Sequence, residues 1–169
     1  MVRDIFIFAC FTGLAYVDIY NLTEDNISQN VDKSLWLMTN RQKTGSASNI
    51  PLLPIAIEII EKYKNHPLTI NSKKLLPVYS IQKVNEYLKT IAENCEITKK
   101  LTFHVARHSF ATTVTLANKV SIESVSKMLG HKNIKTTQHY AKILDKKVGE
   151  DMLALQALLQ KKEDLKKQA

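Results

Sequence analysis

The sequence predicts a mainly α-helical domain with one small antiparallel β-sheet, on three observations. Apolar residues recur at helical spacing in several segments, and β-prone residues gather in one stretch, Ser34 to Asn40, with turn residues close behind. Capping serine, threonine or proline also stands at the start of several helical segments. The 169 residues, 44% of them hydrophobic, suffice for one sizeable core. They predict a single domain over 1–169, closed by a C-terminal helix and polar tail over 145–169.

In chain order, the first helix is expected over about residues 2–11, with a turn at Thr12-Gly13 and a short helix from Asp18 to Leu22. Ile5 to Val17 follows Arg3 like the apolar core of a signal peptide. However, Asp4 sits beside it, no small-x-small cleavage site follows, and the run falls short of the ~20 residues that a membrane helix needs. A buried helix is expected instead. Ser34 to Asn40 (SLWLMTN) reads as a strand, Thr44-Gly45-Ser46 as a turn, and Ser48 to Leu53 as the antiparallel return. Pro54 opens a helix to about Lys64, residues 65–79 with Pro67 and Pro77 are expected to be irregular, and Ser80 caps a helix to about Asn94. Thr102 is in place to cap the next, expected from Phe103 to about Asn118. Its core side would carry Ala106, Phe110, Thr113 and Ala117, and its other side His104, Arg107, His108 and Ala111. Ser121 starts a further helix that ends at Gly130. Val148, Met152, Leu155 and Leu159 then repeat at spacings of 4, 3 and 4 ahead of a polar tail.

Lys and Arg number 24 against 16 acidic residues, and the net charge of +8 draws a protein toward polyphosphate or an anionic membrane. Part of this excess is solvated helix surface. Cys10 and Cys95 lie among apolar neighbours, which predicts buried thiols in a reducing cytoplasm, and no zinc-type cysteine spacing exists.

The chemistry starts on the polar side of the 103–118 helix, where His104 and Arg107, three residues apart, project toward the same place. Arginine offers a planar fork of donors to phosphate oxygens, and histidine moves a proton near neutral pH, so the pair suits a phosphodiester. By itself a His-x-x-Arg pair is also an ordinary surface feature. Two further groups follow in order: His131 in Leu129-Gly-His131, and Tyr140 nine positions later in TTQHYAKI.

In order and spacing, His104-Val-Ala-Arg107-His-Ser-Phe-Ala-Thr, Leu-Gly-His131 and Tyr140, with TGLAYVDIYNL at 12–22, resemble the signature of tyrosine recombinases, the phage-type integrases. The resemblance runs from about residue 3 to residue 145. It implies the catalytic domain of a site-specific DNA recombinase or integrase of a mobile element, acting on double-stranded DNA with no cofactor and no metal. In that family a tyrosine attacks a DNA phosphate, expels a 5′-hydroxyl and leaves a 3′-phosphotyrosine that a second DNA end reverses. Bond energy is conserved in the phosphoester, so no ATP is needed. The implied roles are Tyr140 as nucleophile, Arg107 on the non-bridging oxygens, His104 as base toward Tyr140 and His131 as hydrogen-bond donor to the phosphate. Lys43, at the hairpin tip, would protonate the leaving hydroxyl.

One position departs from the family pattern. An arginine usually follows TGL directly, and here Ala15 stands there. Arg41 is the expected substitute: if strand geometry continues, Arg41 and Lys43, two residues apart, project from one face toward one phosphate. Divergent mobile-element integrases that lack the first arginine and carry Arg-x-Lys are similar. The upstream helical domain usual in the family is not in this sequence, which together with the abrupt start at Met1 suggests a fragment. By resemblance, the terminal helix docks on a neighbouring protomer, so a monomer is expected alone and a homo-oligomer on DNA, in the cytoplasm and without membrane contact.

Three alternatives stay open at this point. A metal hydrolase is suggested by His104 and His108 at i and i+4, although Val105 stands where a zinc protease needs glutamate. A non-catalytic helix-turn-helix binder is suggested by 121–143 with Gly130 at the turn. A type IB topoisomerase-like enzyme would share the chemistry without site specificity.

Overall fold

The computed structural model describes residues 1–141 together with Gly149, Met152, Leu153, Leu155, Gln156, Leu159 and Gln160. Helix α1 (Val2–Thr12) ends where Gly13 turns left-handed at φ 69°. A Cβ there would stand 2.3 Å from the Phe110 ring, so glycine both turns the chain and admits that ring. Helix α2 (Tyr16–Asn21) follows, starting two residues before the predicted one.

Three antiparallel strands come next, β1 (Ile27–Gln29), β2 (Leu35–Asn40) and β3 (Ala47–Pro51), in the order β1-β2-β3. Ile27 pairs with Leu37 and Leu37 with Ile50, and strand alternation buries Leu37, Ser48 and Ile50 on one face. The predicted hairpin is β2 and β3. Strand β1 went unpredicted because its three residues, Ile-Ser-Gln, are too few to show an alternating pattern.

Helix α3 (Pro54–Tyr63) starts on its proline and buries Ala56, Ile59 and Tyr63. Within the stretch expected to be irregular lies a short helix, α4 (Pro67–Ser72). Pro67 starts it rather than breaking structure. The His66 ring accepts the Leu68 N–H at 3.2 Å, and the buried Thr69 hydroxyl donates to the carbonyls of Tyr63 at 2.8 Å and His66 at 2.7 Å. Helix α5 (Ile81–Asn94) buries Val84, Leu88 and Ala92 at four-residue spacing. Cys95, expected to be buried, is exposed at the C-cap of α5, just past its last helical residue Asn94, and Cys10 is half-buried.

The Asn85 side chain of α5 accepts the Phe103 N–H at 2.9 Å and so pins the start of α6 (Phe103–Ser109). The single regular helix expected over 103–118 is not found. A π-helical turn spans Phe110–Thr115 and a 3-10 turn spans Leu116–Asn118. The wider turn shifts the buried face, so Thr115 and Leu116 are in the core, whereas Thr113 and Ala117, expected there, are exposed. The Thr115 hydroxyl donates to the carbonyls of Phe110 and Ala111, each at 2.9 Å, satisfying acceptors that the wider turn displaces. Helices α7 (Ile122–Met128) and α8 (Ile134–Ala141) complete the fold.

Two apolar clusters result. The larger joins α1, α2, the sheet, α3, α5 and the start of α6; the smaller gathers Phe110, Ala111, Leu116, Val125, Leu129 and Tyr140, and Met128 packs on both. Of the predicted C-terminal stripe, Met152, Leu155 and Leu159 are helical and exposed at 60%, 46% and 53%. Val148, the connector 142–147 and the tail 161–169 lie outside the described residues. No described helix is long and apolar enough to cross a membrane.

Candidate active site

Arg107, on α6, is 5% exposed and joins three segments of chain. Its Nη1 donates to the Gly13 carbonyl at 2.5 Å, its Nη2 to the Leu129 carbonyl at 2.5 Å, and Nη2 also lies 3.1 Å from His131 Nε2. Burial, then the charge of Arg41, pull its pKa down to about 10, while the Tyr140 hydroxyl, within hydrogen-bonding reach, and Asp18 act the other way.

Arg41 leaves the sheet just past β2 and turns toward Arg107. Its Nη1 donates to the same Leu129 carbonyl at 3.3 Å, and its Nε forms a 3.1 Å ion pair with Asp18 Oδ2 that lacks hydrogen-bond alignment. The other Asp18 oxygen accepts the Gln42 N–H at 2.9 Å. The left-handed Gly130 makes room: a Cβ there would stand 2.5 Å from Arg41 Cγ. The strand geometry expected to aim Arg41 and Lys43 from one face does not continue. Residues 42–44 form a tight turn in which the Thr44 and Gly45 N–H groups close onto the Arg41 carbonyl at 3.2 and 2.8 Å. Lys43 is left exposed at the turn, with no hydrogen bond or ion pair to the cluster among the described residues.

His131 follows Gly130 on the loop between α7 and α8. Its Nδ1 lies 2.8 Å from the Thr137 hydroxyl, and because a guanidinium only donates, Nε2 must accept from Arg107 and Nδ1 carries the proton. Burial, then Arg107 and Arg41, hold its pKa down to about 4. His104 is exposed on its outer side, and its pKa is likewise lowered, first by partial desolvation where the ring meets the protein, then by His108, Arg107 and Arg41.

Tyr140, 8% exposed on α8, sits among these groups. Its ring is parallel to that of His131, with centroids 6.3 Å apart, and meets the His108 ring edge-on at 5.0 Å. His108 in turn meets His104 edge-on at 5.1 Å. The structure therefore brings together Arg107, Arg41, His104, His131 and Tyr140, but not Lys43. Sequence reasoning missed Asp18, Thr137 and the part played by His108. Asp18 lies within the quoted TGLAYVDIYNL segment, but no local spacing links it to Arg41.

Two guanidiniums and three imidazoles gathered at a phenol, with Asp18 as the countercharge beside Arg41, favour an anion next to a potential oxygen nucleophile. Tyrosine recombinase XerD of Halalkalibacterium halodurans is 35% identical over 143 residues, covering 78% of this chain and 46% of that protein. Tyrosine recombinase XerA of Pyrococcus horikoshii is 32% identical over 149 residues, covering 82% and 49%. The chain thus spans about half the length of these relatives. In fold it is similar to the crystal structure of XerA recombinase, with a TM-score of 0.69 at 20% identity over 90% of this chain and 62% of that one. A lambda integrase dimer bound to a core site gives a TM-score of 0.64 at 18% identity, over 82% and 51%. Residues 2–147 match the model of the phage integrase family, and the chain belongs to that family.

Proposed function

We propose that this chain is the catalytic portion of a site-specific DNA recombinase or integrase, cleaving and rejoining double-stranded DNA through a 3′-phosphotyrosine at Tyr140. The observation that carries the reading is geometric: Arg107 and Arg41 converge on the Leu129 carbonyl, His131 lies 3.1 Å from Arg107, and the nearly buried Tyr140 ring lies against His131 and His108. Such a cluster is short of negative charge, and a phosphodiester supplies it.

In the first step the Tyr140 oxygen attacks phosphorus while His104, whose pKa is lowered in a direction that favours the neutral ring, takes the phenolic proton. Arg107 and Arg41 hold the non-bridging oxygens, Arg41 supplying the guanidinium that Ala15 does not. The bond from phosphorus to the 5′-oxygen breaks, and Lys43 reaches in from its turn to protonate that oxygen. In the second step a 5′-hydroxyl from another strand attacks phosphorus and gives its proton to the neutral Lys43 amine, the bond to Tyr140 breaks, and His104 returns its proton to the phenolate. For His131 to donate to the phosphate, Nε2 must gain a proton and release Arg107, a change that the incoming negative charge favours.

On DNA the chain acts as a homo-oligomer and alone as a monomer, in the cytoplasm. Support comes from an apolar groove of about 850 Å³ lined by Phe11, Trp36, Pro51, Phe110, Val114 and Met128, a match for the exposed Met152, Leu155 and Leu159 of a neighbour. The test is covalent capture: nicked duplexes from a randomised pool are incubated with the chain, denatured, and scored for protein-linked DNA. A denaturant-resistant adduct lost in Tyr140→Phe is expected. Binding without an adduct means a DNA-binding module, and relaxation of supercoils irrespective of sequence means a topoisomerase.

A further inference from the structure

We propose that His108 is a positioning residue for Tyr140, a wall that keeps the phenol ring in the orientation that carries its hydroxyl to Arg107; the proposal rests on the reading of Tyr140 as nucleophile. His131 lies parallel to the phenol at 6.3 Å and 4°, and His108 meets it more closely and nearly edge-on, at 5.0 Å and 70°, so two imidazoles adjoin the ring in different orientations. His108 is exposed, so it is not a core-packing residue, and among the described residues its side chain is engaged by rings alone, those of Tyr140 and His104. It offers Tyr140 a surface rather than a proton.

Its place in the chain suits that task. His108 directly follows Arg107 and stands four residues after His104, on the helix that Asn85 pins at its start. The wall against the nucleophile is thus part of the same rigid element as the phosphate-binding arginine. In-line attack is steep in distance, and a displacement of about 1 Å costs on the order of a hundredfold in rate. An edge-to-face aromatic contact limits such displacement while leaving the hydroxyl unblocked, and such contacts are strong enough to alter a rate by about threefold to tenfold.

The experiment compares single-turnover adduct formation on a captured duplex for the unaltered chain, Tyr140→Phe, His108→Ala and His108→Phe, with duplex affinity measured for each. The expected result is no adduct from Tyr140→Phe and about fivefold to tenfold slower adduct formation by His108→Ala at unchanged affinity. His108→Phe, which restores a ring, is expected to stay within about threefold of the parent. A second, DNA-free readout uses ring-13C tyrosine NMR, with the Tyr140 signal assigned by its loss in Tyr140→Phe. His108→Ala should move that signal toward the free-tyrosine position, and His108→Phe should keep it displaced. Parent-like cleavage by His108→Ala, an unmoved signal, or a Phe variant as slow as the Ala variant each overturns the positioning role. An adduct that survives Tyr140→Phe instead overturns the reading of the nucleophile, and this proposal with it.

Discussion

Arg41 and Arg107 donate to one acceptor: the Leu129 carbonyl oxygen takes Arg41 Nη1 at 3.3 Å and Arg107 Nη2 at 2.5 Å. Two like charges converge on a single backbone dipole, and the buried Asp18 offsets part of the repulsion from the Arg41 side. With Ala15 unable to reach a phosphate, this pairing makes Arg41 the second guanidinium of the cluster.

Arg41→Gln, which keeps an amide donor for Asp18, is therefore expected to slow adduct formation about a hundredfold, the usual effect of removing one preorganised donor to a developing charge. Arg41→Lys should do little better, because a lysine ammonium cannot pair with Asp18 and reach Leu129 at once. Adding Ala15→Arg to Arg41→Gln should recover part of the rate. Single-turnover capture assays measure all three, and parent-like cleavage by Arg41→Gln would remove Arg41 from the site.

The ion pair also ties the site to stability. Asp18 and Arg41 have side chains 1% and 11% exposed, so Arg41→Ala leaves a buried carboxylate uncompensated, expected to cost about 3 kcal/mol. Asp18→Asn added to Arg41→Ala should recover most of that loss. Urea unfolding of the single and double variants measures it; strictly additive losses would mean the two side chains do not interact.

Much of this architecture was legible from local signals. Helices α1, α3 and α5, and the β2–β3 pair, follow from apolar spacing and from Gly13, Pro54, Ser80 and the Thr44-Gly45-Ser46 turn. His104, Arg107, His131 and Tyr140 stood out because their order and spacing match a family signature. What stayed hidden depends on tertiary contacts. The Arg41–Asp18 pair and the shared Leu129 acceptor join residues far apart in sequence. A 3.6-residue period presupposes the regular helix that the π-turn over Phe110–Thr115 interrupts, and that turn is stabilised by Thr115, which is indistinguishable in sequence from an exposed threonine.

Gly130 offers a comparison with an internal control. Gly130 and Gly45 both have positive φ, +60° and +65°, so alanine at either meets the backbone penalty of about 1 kcal/mol. Only at Gly130 does the new Cβ also strike Arg41 Cγ, at 2.5 Å, since Gly45 has nothing within 4 Å. Gly130→Ala is expected to destabilise more than Gly45→Ala and to slow cleavage as well, through displaced Arg41. Equal losses of melting temperature with unimpaired cleavage in both variants would show that the Arg41 stem yields without consequence.

The pH dependence of stability follows from His131. Its pKa falls from about 6.5 in an unfolded chain to about 4 in the fold, because burial and the charges of Arg107 and Arg41 oppose a second proton on the ring. Between those values the unfolded chain binds more protons than the folded one, so stability from this group is complete above about pH 6.5 and is lost as pH falls toward 4. His104 is shifted in the same direction and acts in the same sense. Asp4, a nearly buried carboxyl, is raised by burial but lowered more by Lys62, Arg3 and Tyr63, so its stabilisation is lost only below the usual carboxylate range and leaves this window clear. The melting temperature should therefore drop from pH 7 to pH 4.5, and His131→Gln, which does not titrate but can still accept from Arg107, should flatten that drop. On the proposed function, a DNA phosphate would reverse the sign of the local field and favour the second proton on His131, so binding at about pH 6 should take up protons. Titration calorimetry in two buffers of different ionisation enthalpy reads that uptake directly. An uptake that is smaller in His131→Gln is expected. Zero uptake in the unaltered chain would mean that the phosphate does not approach His131.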